Sequence, residues 1–99
     1  MEIRETIQFS SWLADLRDRQ ARARILVRIT RLAKGNPGDV KPVGNGVSEL
    51  RLTYGPGYRI YYFQRNEELI ILLVGGSKST QKKDIESAHR LAKEISEQK

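Results

Sequence analysis

GVSELRLTYGPGYRIYYFQRNEELIILLVGGSK, residues Gly46–Lys78, is the stretch whose reading decides the fold. Val47–Tyr54 alternates, with Leu50 and Leu52 on one side and Glu49 and Arg51 on the other, the period of a strand. Gly55-Pro56-Gly57 then supplies turn chemistry, with glycines free to take positive φ and a proline whose φ is fixed. Tyr58–Arg65 is rich in aromatic and β-branched residues, which suit a pleated surface. Asn66-Glu67 marks a second turn, and Leu69–Val74 is an unbroken apolar run of the kind covered on both faces. Three consecutive strands in an antiparallel meander are predicted.

Closing the first hairpin around Gly55-Pro56-Gly57 puts Arg51 and Arg59 on one face, close to opposite one another. Like charges so placed weaken a sheet. A tight turn at Asn66 brings Arg59 level with Val74 or Gly75, so Gly75, Gly76 and Lys78 belong at the same end of the sheet. Ser79 or Thr80 can cap a helix whose first turn holds Gln81, Lys82 and Lys83. Free backbone amides and the positive end of the helix dipole favour an anion there. Arg51, Arg59, Lys78 and a helix N-terminus together suggest a phosphate site. The competing reading is a solvated basic face, with the glycines as a bulge or strand end.

A chain of 99 residues is the size of one domain and buries enough surface for one modest core. The formal net charge of +6 and a pI near 9.9 call for a polyanionic or acidic partner. Without cysteine there are no disulfides, thiolate nucleophiles or cysteine metal sites, which fits a reducing cytoplasm. No apolar run is long enough to span a bilayer, and no membrane partner is expected.

Met1–Gln8 reads as a short first strand built on Ile3 and Ile7. Ser10 or Ser11 can cap a helix with an apolar stripe of Phe9, Trp12, Leu13 and Leu16, where Trp12 anchors against the sheet. Asp18 can cap a second helix that buries Ala21, Ile25, Ile29, Leu32 and Ala33, displays several arginines, and ends at Lys34-Gly35. Asn36–Asn45 reads as loop. A last helix from about Thr80 to Glu97 buries Ile85, Ala88, Leu91, Ala92 and Ile95. His89 lies at the edge of that stripe and reads as a half-exposed packing residue. The order β-α-α-β-β-β-α is an α+β domain, residues 1–99, with helices on a small, mostly antiparallel sheet. No metal-ligand spacing and no dinucleotide or Walker motif occurs, so neither a metal nor a cofactor is expected.

This element order, with GVSELR, GPGYRIYYF and LLVGGSKSTQKKDIESA, resembles the RelE/ParE toxin superfamily, and within it the HigB-like, phage-derived host-killing branch. The resemblance covers nearly the whole chain and is strongest from Gly46 to Ala88. It implies a RelE-like fold and the toxin of a toxin–antitoxin module. The RelE and HigB types cut messenger RNA on the ribosome, without metal, by attack of a ribose 2′-OH on the adjacent phosphate. The ParE type poisons DNA gyrase without catalysis, and that is the alternative. A third reading is a basic RNA- or protein-binding domain with no toxicity. The partners implied are mRNA on the ribosome and a helix-turn-helix antitoxin from a neighbouring gene, in a pair that can form a heterotetramer.

By the same resemblance, Arg59 matches the strand arginine of the RNase members, and Arg51 and Lys78 fall where those proteins place further cations. Gln81, Lys82 and Lys83 then contact RNA, and Tyr61, on the Arg59 face, either stacks on a base or fills the core. The last helix offers only His89 where some members carry a tyrosine or histidine, which leaves Glu49 as the candidate base. Its competing role is an ion pair with Arg51.

Overall fold

A computed structural model describes residues 1–97. The elements in chain order are β1 (Glu2–Glu5), α1 (Ile7–Asp15), α2 (Arg19–Ala33), β2 (Val40–Gly44), β3 (Val47–Arg51), β4 (Tyr58–Arg65), β5 (Leu69–Ser77), a 3-10 turn (Lys78–Thr80) and α3 (Gln81–Glu97). The sheet order is β1-β5-β4-β3-β2. β1 runs parallel to β5 and every other pair is antiparallel, so the fold is α+β with a mixed five-stranded sheet. The expected meander is its middle, and the long apolar strand β5 is interior.

One strand went unpredicted. Val40–Gly44 lies in the stretch expected to be loop, because Pro42 and its glycine neighbours argue against a strand. Proline is tolerated on an edge, where its missing N–H faces away from the partner strand, and β2 is the edge. The hairpin to β3 turns on Asn45 and Gly46, both with positive φ, as a two-residue type I′ turn requires.

The first helix also begins earlier than expected. Thr6, rather than Ser10 or Ser11, is its cap, accepting from the Phe9 amide at 3.0 Å and donating to the Leu73 carbonyl at 2.6 Å. One hydroxyl thereby fixes both the helix start and its height on the sheet, and it ends the first strand at Glu5. Asp18 caps α2 as anticipated, accepting from Gln20 and Ala21.

Alternation gives each sheet face its own core. On one face, Phe9, Ile25 and Leu32 of α1 and α2 meet Leu50, Ile60, Tyr62, Ile70 and Leu72. On the other, Ala88 and Ala92 of α3 meet Val47, Tyr61, Leu73 and Val74. Each of these larger apolar side chains contributes roughly 1.5–3 kcal/mol on burial. Along β5 the alternation is interrupted where the β4–β5 register shifts between Tyr61 and Tyr62. Tyr61 pairs with Val74 and Tyr62 with Leu72, so Leu73 is the extra residue and both Leu73 and Val74 pack toward α3. The bulge places Arg59 opposite Gly76, one or two residues beyond the predicted Val74 or Gly75.

The two glycines neither end the strand nor form the bulge; β5 continues through them to Ser77. A Cβ on Gly75 would stand 2.2 Å from the Trp12 ring, and one on Gly76 would stand 1.8 Å from the Asp84 carboxylate. Each glycine lets a helix approach the sheet, α1 on one face and α3 on the other.

Candidate phosphate site

The β3–β4 register sets Arg51 directly opposite Arg59 and Glu49 directly opposite Tyr61. All four share the α3 face, yet the two arginines lead separate lives. Arg51 donates to Asp39 from both Nη2 (2.8 Å) and Nε (3.3 Å). That hydrogen bond and the Asp39 charge raise the pKa of its guanidinium. Arg59 turns toward the Gly55–Gly57 turn, and its Nη1 donates to the carbonyls of Gly57 (3.1 Å) and Tyr58 (3.3 Å). Its Nε is buried without a partner, and among the described residues no carboxylate lies within ion-pair distance. An uncompensated guanidinium held this way is costly in the resting protein and available to an anion.

Lys78 joins Arg59 at this end. Its amide reaches the Pro56 carbonyl at 3.4 Å. A Cβ on Gly57 would sit 3.3 Å from Lys78 Cβ and 3.4 Å from Arg59 Nη1, so turn, lysine and arginine are packed together. Gly55 and Gly57 both take positive φ, as the turn reading requires. The side chain of Lys78 is exposed, as are Lys82 and Lys83 one turn on.

The helix start differs from the expected cap at Ser79 or Thr80. Ser77 is the N-cap of the 3-10 turn, and α3 begins only at Gln81. The Thr80 hydroxyl accepts from the Ser77 amide at 3.1 Å and donates to the Asp84 carboxylate. Asp84 is therefore a counter-charge for the basic first turn, and it sits where the dipole favours an acid.

Glu49 has no access to water. Its side chain is fully buried, and Oε2 accepts from the Tyr61 hydroxyl at 2.9 Å and from Gln81 Nε2 at 2.7 Å. The expected ion pair with Arg51 is not made, since Asp39 has taken that guanidinium. Tyr61 is also fully buried and cannot stack on a base in this arrangement, which corrects the stacking role. Burial and the Glu49 hydrogen bond both push the Tyr61 pKa up. Gln81, expected to meet RNA, instead ties the first turn of α3 to the sheet. His89 is a half-buried packing residue, its Nε2 at 2.8 Å from the Val43 carbonyl.

Residues 11–95 match the family model described as Phage derived protein Gp49-like (DUF891). The chain belongs to this family. A Haemophilus influenzae strain Rd protein, itself described only as uncharacterized, is 50% identical over 95 residues, 96% of each chain. The Gp49-like family is associated with the RelE-like toxins of toxin–antitoxin modules. The match runs from α1 through α3 and so spans every residue of the site.

In this Gp49-like protein, then, Arg59 and Lys78 are brought together at the glycine turn, while Arg51 stands nearby with its charge engaged. Glu49, Tyr61 and Gln81 form a hydrogen-bonded bracket one same-face pair further along the strands. Asp39 was missed because it precedes the strand read as loop. Asp84 was legible in principle, since Thr80 and Asp84 stand four apart at a helix start. Among the described residues no cluster of metal-ligating side chains occurs, and no helix is long and apolar enough to cross a membrane.

Proposed function

We propose that this protein is the toxin of a type II toxin–antitoxin module, of the HigB-like branch, and that it cleaves mRNA on the ribosome. The observation that carries the reading is Arg59: a guanidinium on the central strand, without a carboxylate partner, beside Lys78 and the Gly55–Gly57 turn. In the reaction a ribose 2′-hydroxyl attacks the neighbouring phosphorus and gives up its proton to solvent, and the bond to the 5′-oxygen breaks as that oxygen takes a proton from solvent. A 2′,3′-cyclic phosphate and a 5′-hydroxyl result. Arg59 and Lys78 stabilise the charge that builds on the phosphoryl oxygens, a role worth roughly 10²–10³-fold per well-placed donor. Lys82 and Lys83 bind flanking phosphates. Sealed Glu49 does not touch the 2′-OH; it holds Gln81 and Tyr61.

A free toxin of this kind needs a neutralising antitoxin, for which a helix-turn-helix protein encoded next door is our candidate. The alternative, a gyrase-directed inhibitor of the same fold, is favoured by one observation: α2 exposes Leu26 and Val27 among arginines, a surface suited to a protein target. Induction in cells followed by mapping of RNA 5′ ends separates the two. In-frame cuts within translated messages support the nuclease, whereas intact messages with DNA-damage signalling support gyrase. A protein harmless at high expression defeats both.

A further inference from the structure

Helix α2 carries two apolar stripes, and only one is used. Ala21, Ile25 and Leu32 are buried, while Leu26 and Val27 remain 46% and 49% exposed with Ala23 beside them. Between this outer stripe and the segment after β3 runs a groove of about 440 Å³, lined by Ala23, Arg24, Val27, Arg31, Leu52 and Tyr54 among others. Its charge is of one sign. RQARARILVRITRLA contains five arginines and no acidic residue. Arg24, Arg28 and Arg31 fall at i, i+4 and i+7, a like-charge row that costs helix stability.

The acids within reach are already committed. Asp18 caps α2 through Oδ1 and accepts from the Tyr54 hydroxyl through Oδ2. Asp39 is held by Arg51. Arg28 spends its donors on the carbonyls of Arg51, Pro37 and Asp39. Arg24 and Arg31 therefore flank an apolar floor with no carboxylate within ion-pair distance among the described residues. Nucleic acid would use such arginines but not the aliphatic floor, and stacking needs an open aromatic face. The Tyr54 ring is covered by Arg24, whose guanidinium lies 4.5 Å from the ring centroid.

We infer that the groove between α2 and the Leu52–Tyr54 segment is a docking site for an amphipathic helix of a partner protein, with aliphatic anchors on Val27 and flanking carboxylates paired to Arg24 and Arg31. Such a helix presents aliphatic anchors at i, i+3, i+4 and i+7 on one face, which suits a groove with an aliphatic floor. Charge complementarity fixes the sign of the partner and speeds encounter. The site lies apart from the Arg59 cluster and stands whether or not that cluster cuts RNA.

The test uses the whole chain, isotope-labelled, titrated with helical peptides of about 15 residues carrying leucines at the anchor spacing. One peptide has glutamates flanking the leucines, a second has lysines in their place, a third scrambles the first, and an oligouridylate is the nucleic-acid probe. We expect the glutamate peptide alone to shift the amide signals of α2, Thr53 and Tyr54. Val27→Asp should weaken it at least roughly ten-fold, and the double change Arg24→Glu, Arg31→Glu should transfer the preference to the lysine peptide. Both variants alter exposed positions, and their melting curves check the fold. Equal binding of the scrambled peptide, an unchanged preference in the double variant, or oligouridylate shifting these same signals would overturn the proposal.

Discussion

Tyr61 and Glu49 face each other across β3 and β4, both fully buried, joined by a 2.9 Å hydrogen bond from phenol to carboxylate. Gln81 closes the same carboxylate from α3, while Glu49 Oε1 is left without a partner. A buried carboxylate with an unsatisfied oxygen is poor economy as a pure stabilising device, because hydrophobic replacements of such groups are often neutral or better. What it does is specify geometry: strand, strand and helix are tied at one point, one same-face pair along the strands from Arg51 and Arg59.

That bracket predicts an alkaline weakness. Burial, then the Glu49 hydrogen bond, raise the Tyr61 pKa above its ordinary value near 10. The folded state thus holds the phenolic proton more tightly than the unfolded chain does. The associated stability is complete below about pH 10 and is lost as pH rises beyond it. Tyr61→Phe should lower stability by about 1–3 kcal/mol at neutral pH, because Glu49 loses a donor. It should also flatten the alkaline fall in melting temperature, leaving the part due to buried Tyr62. An unchanged alkaline limb in Tyr61→Phe would contradict this.

Glu49 itself gives a second prediction. Glu49→Ala strands the Tyr61 hydroxyl and the Gln81 amide and opens a void, for a loss of about 2–4 kcal/mol. Glu49→Gln keeps the shape and an acceptor and should cost less. If message cleavage falls in Glu49→Gln by no more than a few-fold, the residue positions its neighbours; a loss as deep as that of an Arg59 variant would make it part of the chemistry.

Gly75 and Gly76 test how closely the helices sit. Gly75→Ala drives a methyl into the Trp12 indole, and Gly76→Ala into Asp84 and Thr80. Overpacking of this kind costs about 1–3 kcal/mol. Gly75→Ala should change the tryptophan fluorescence, whereas Gly76→Ala should leave it alone, since only the α3 side is disturbed. Identical spectra for the two variants would refute the assignment of one glycine to each face.

The sequence made the central meander readable because alternation, turn glycines and an unbroken apolar run all agree there. The Arg51–Arg59 opposition followed from that register. β2 escaped because an edge strand can hold Pro42 and so lacks the usual signature, although Asn45-Gly46 was the clue available. The one-residue bulge at Leu73 could not be read from an apolar run in which both faces look alike. The site was legible as a list of cations and not as a set of pairings. Asp39, Asp84 and Gln81 decide which charges are free, and each is an ordinary polar residue until the chain is folded.

The pairing pattern makes the salt response specific. If RNA meets Arg59, Lys78, Lys82 and Lys83, three or four phosphates of a single strand are neutralised. The logarithm of affinity against the logarithm of salt should then slope at about −2 to −3. Arg51 is spoken for by Asp39 and should add little, so Arg51→Ala should leave the slope nearly unchanged. A flat response in the intact protein would remove nucleic acid as the ligand of this cluster.

Arg59 is the residue on which the proposed mechanism rests. Its backbone is paired on both sides, to Arg51 and to Gly76, so the strand beneath it is among the best held in the molecule. Its own contacts are two carbonyls of the adjacent turn, at 3.1 and 3.3 Å, and removing them leaves acceptors that the exposed turn can return to water. Arg59→Ala should therefore melt within about 1 kcal/mol of the parent, the net worth of a typical hydrogen bond. Relief of repulsion with Arg51 offsets part of that cost. Arg59→Lys should restore little function, because an ammonium cannot grip two phosphoryl oxygens as a guanidinium does. Lys78→Ala should be milder, with Lys82 and Lys83 one turn away. Growth after induction, message cleavage and thermal melting of the three variants decide the matter together. A well-folded Arg59→Ala protein that still arrests growth and cuts messages would remove this cluster as the active site.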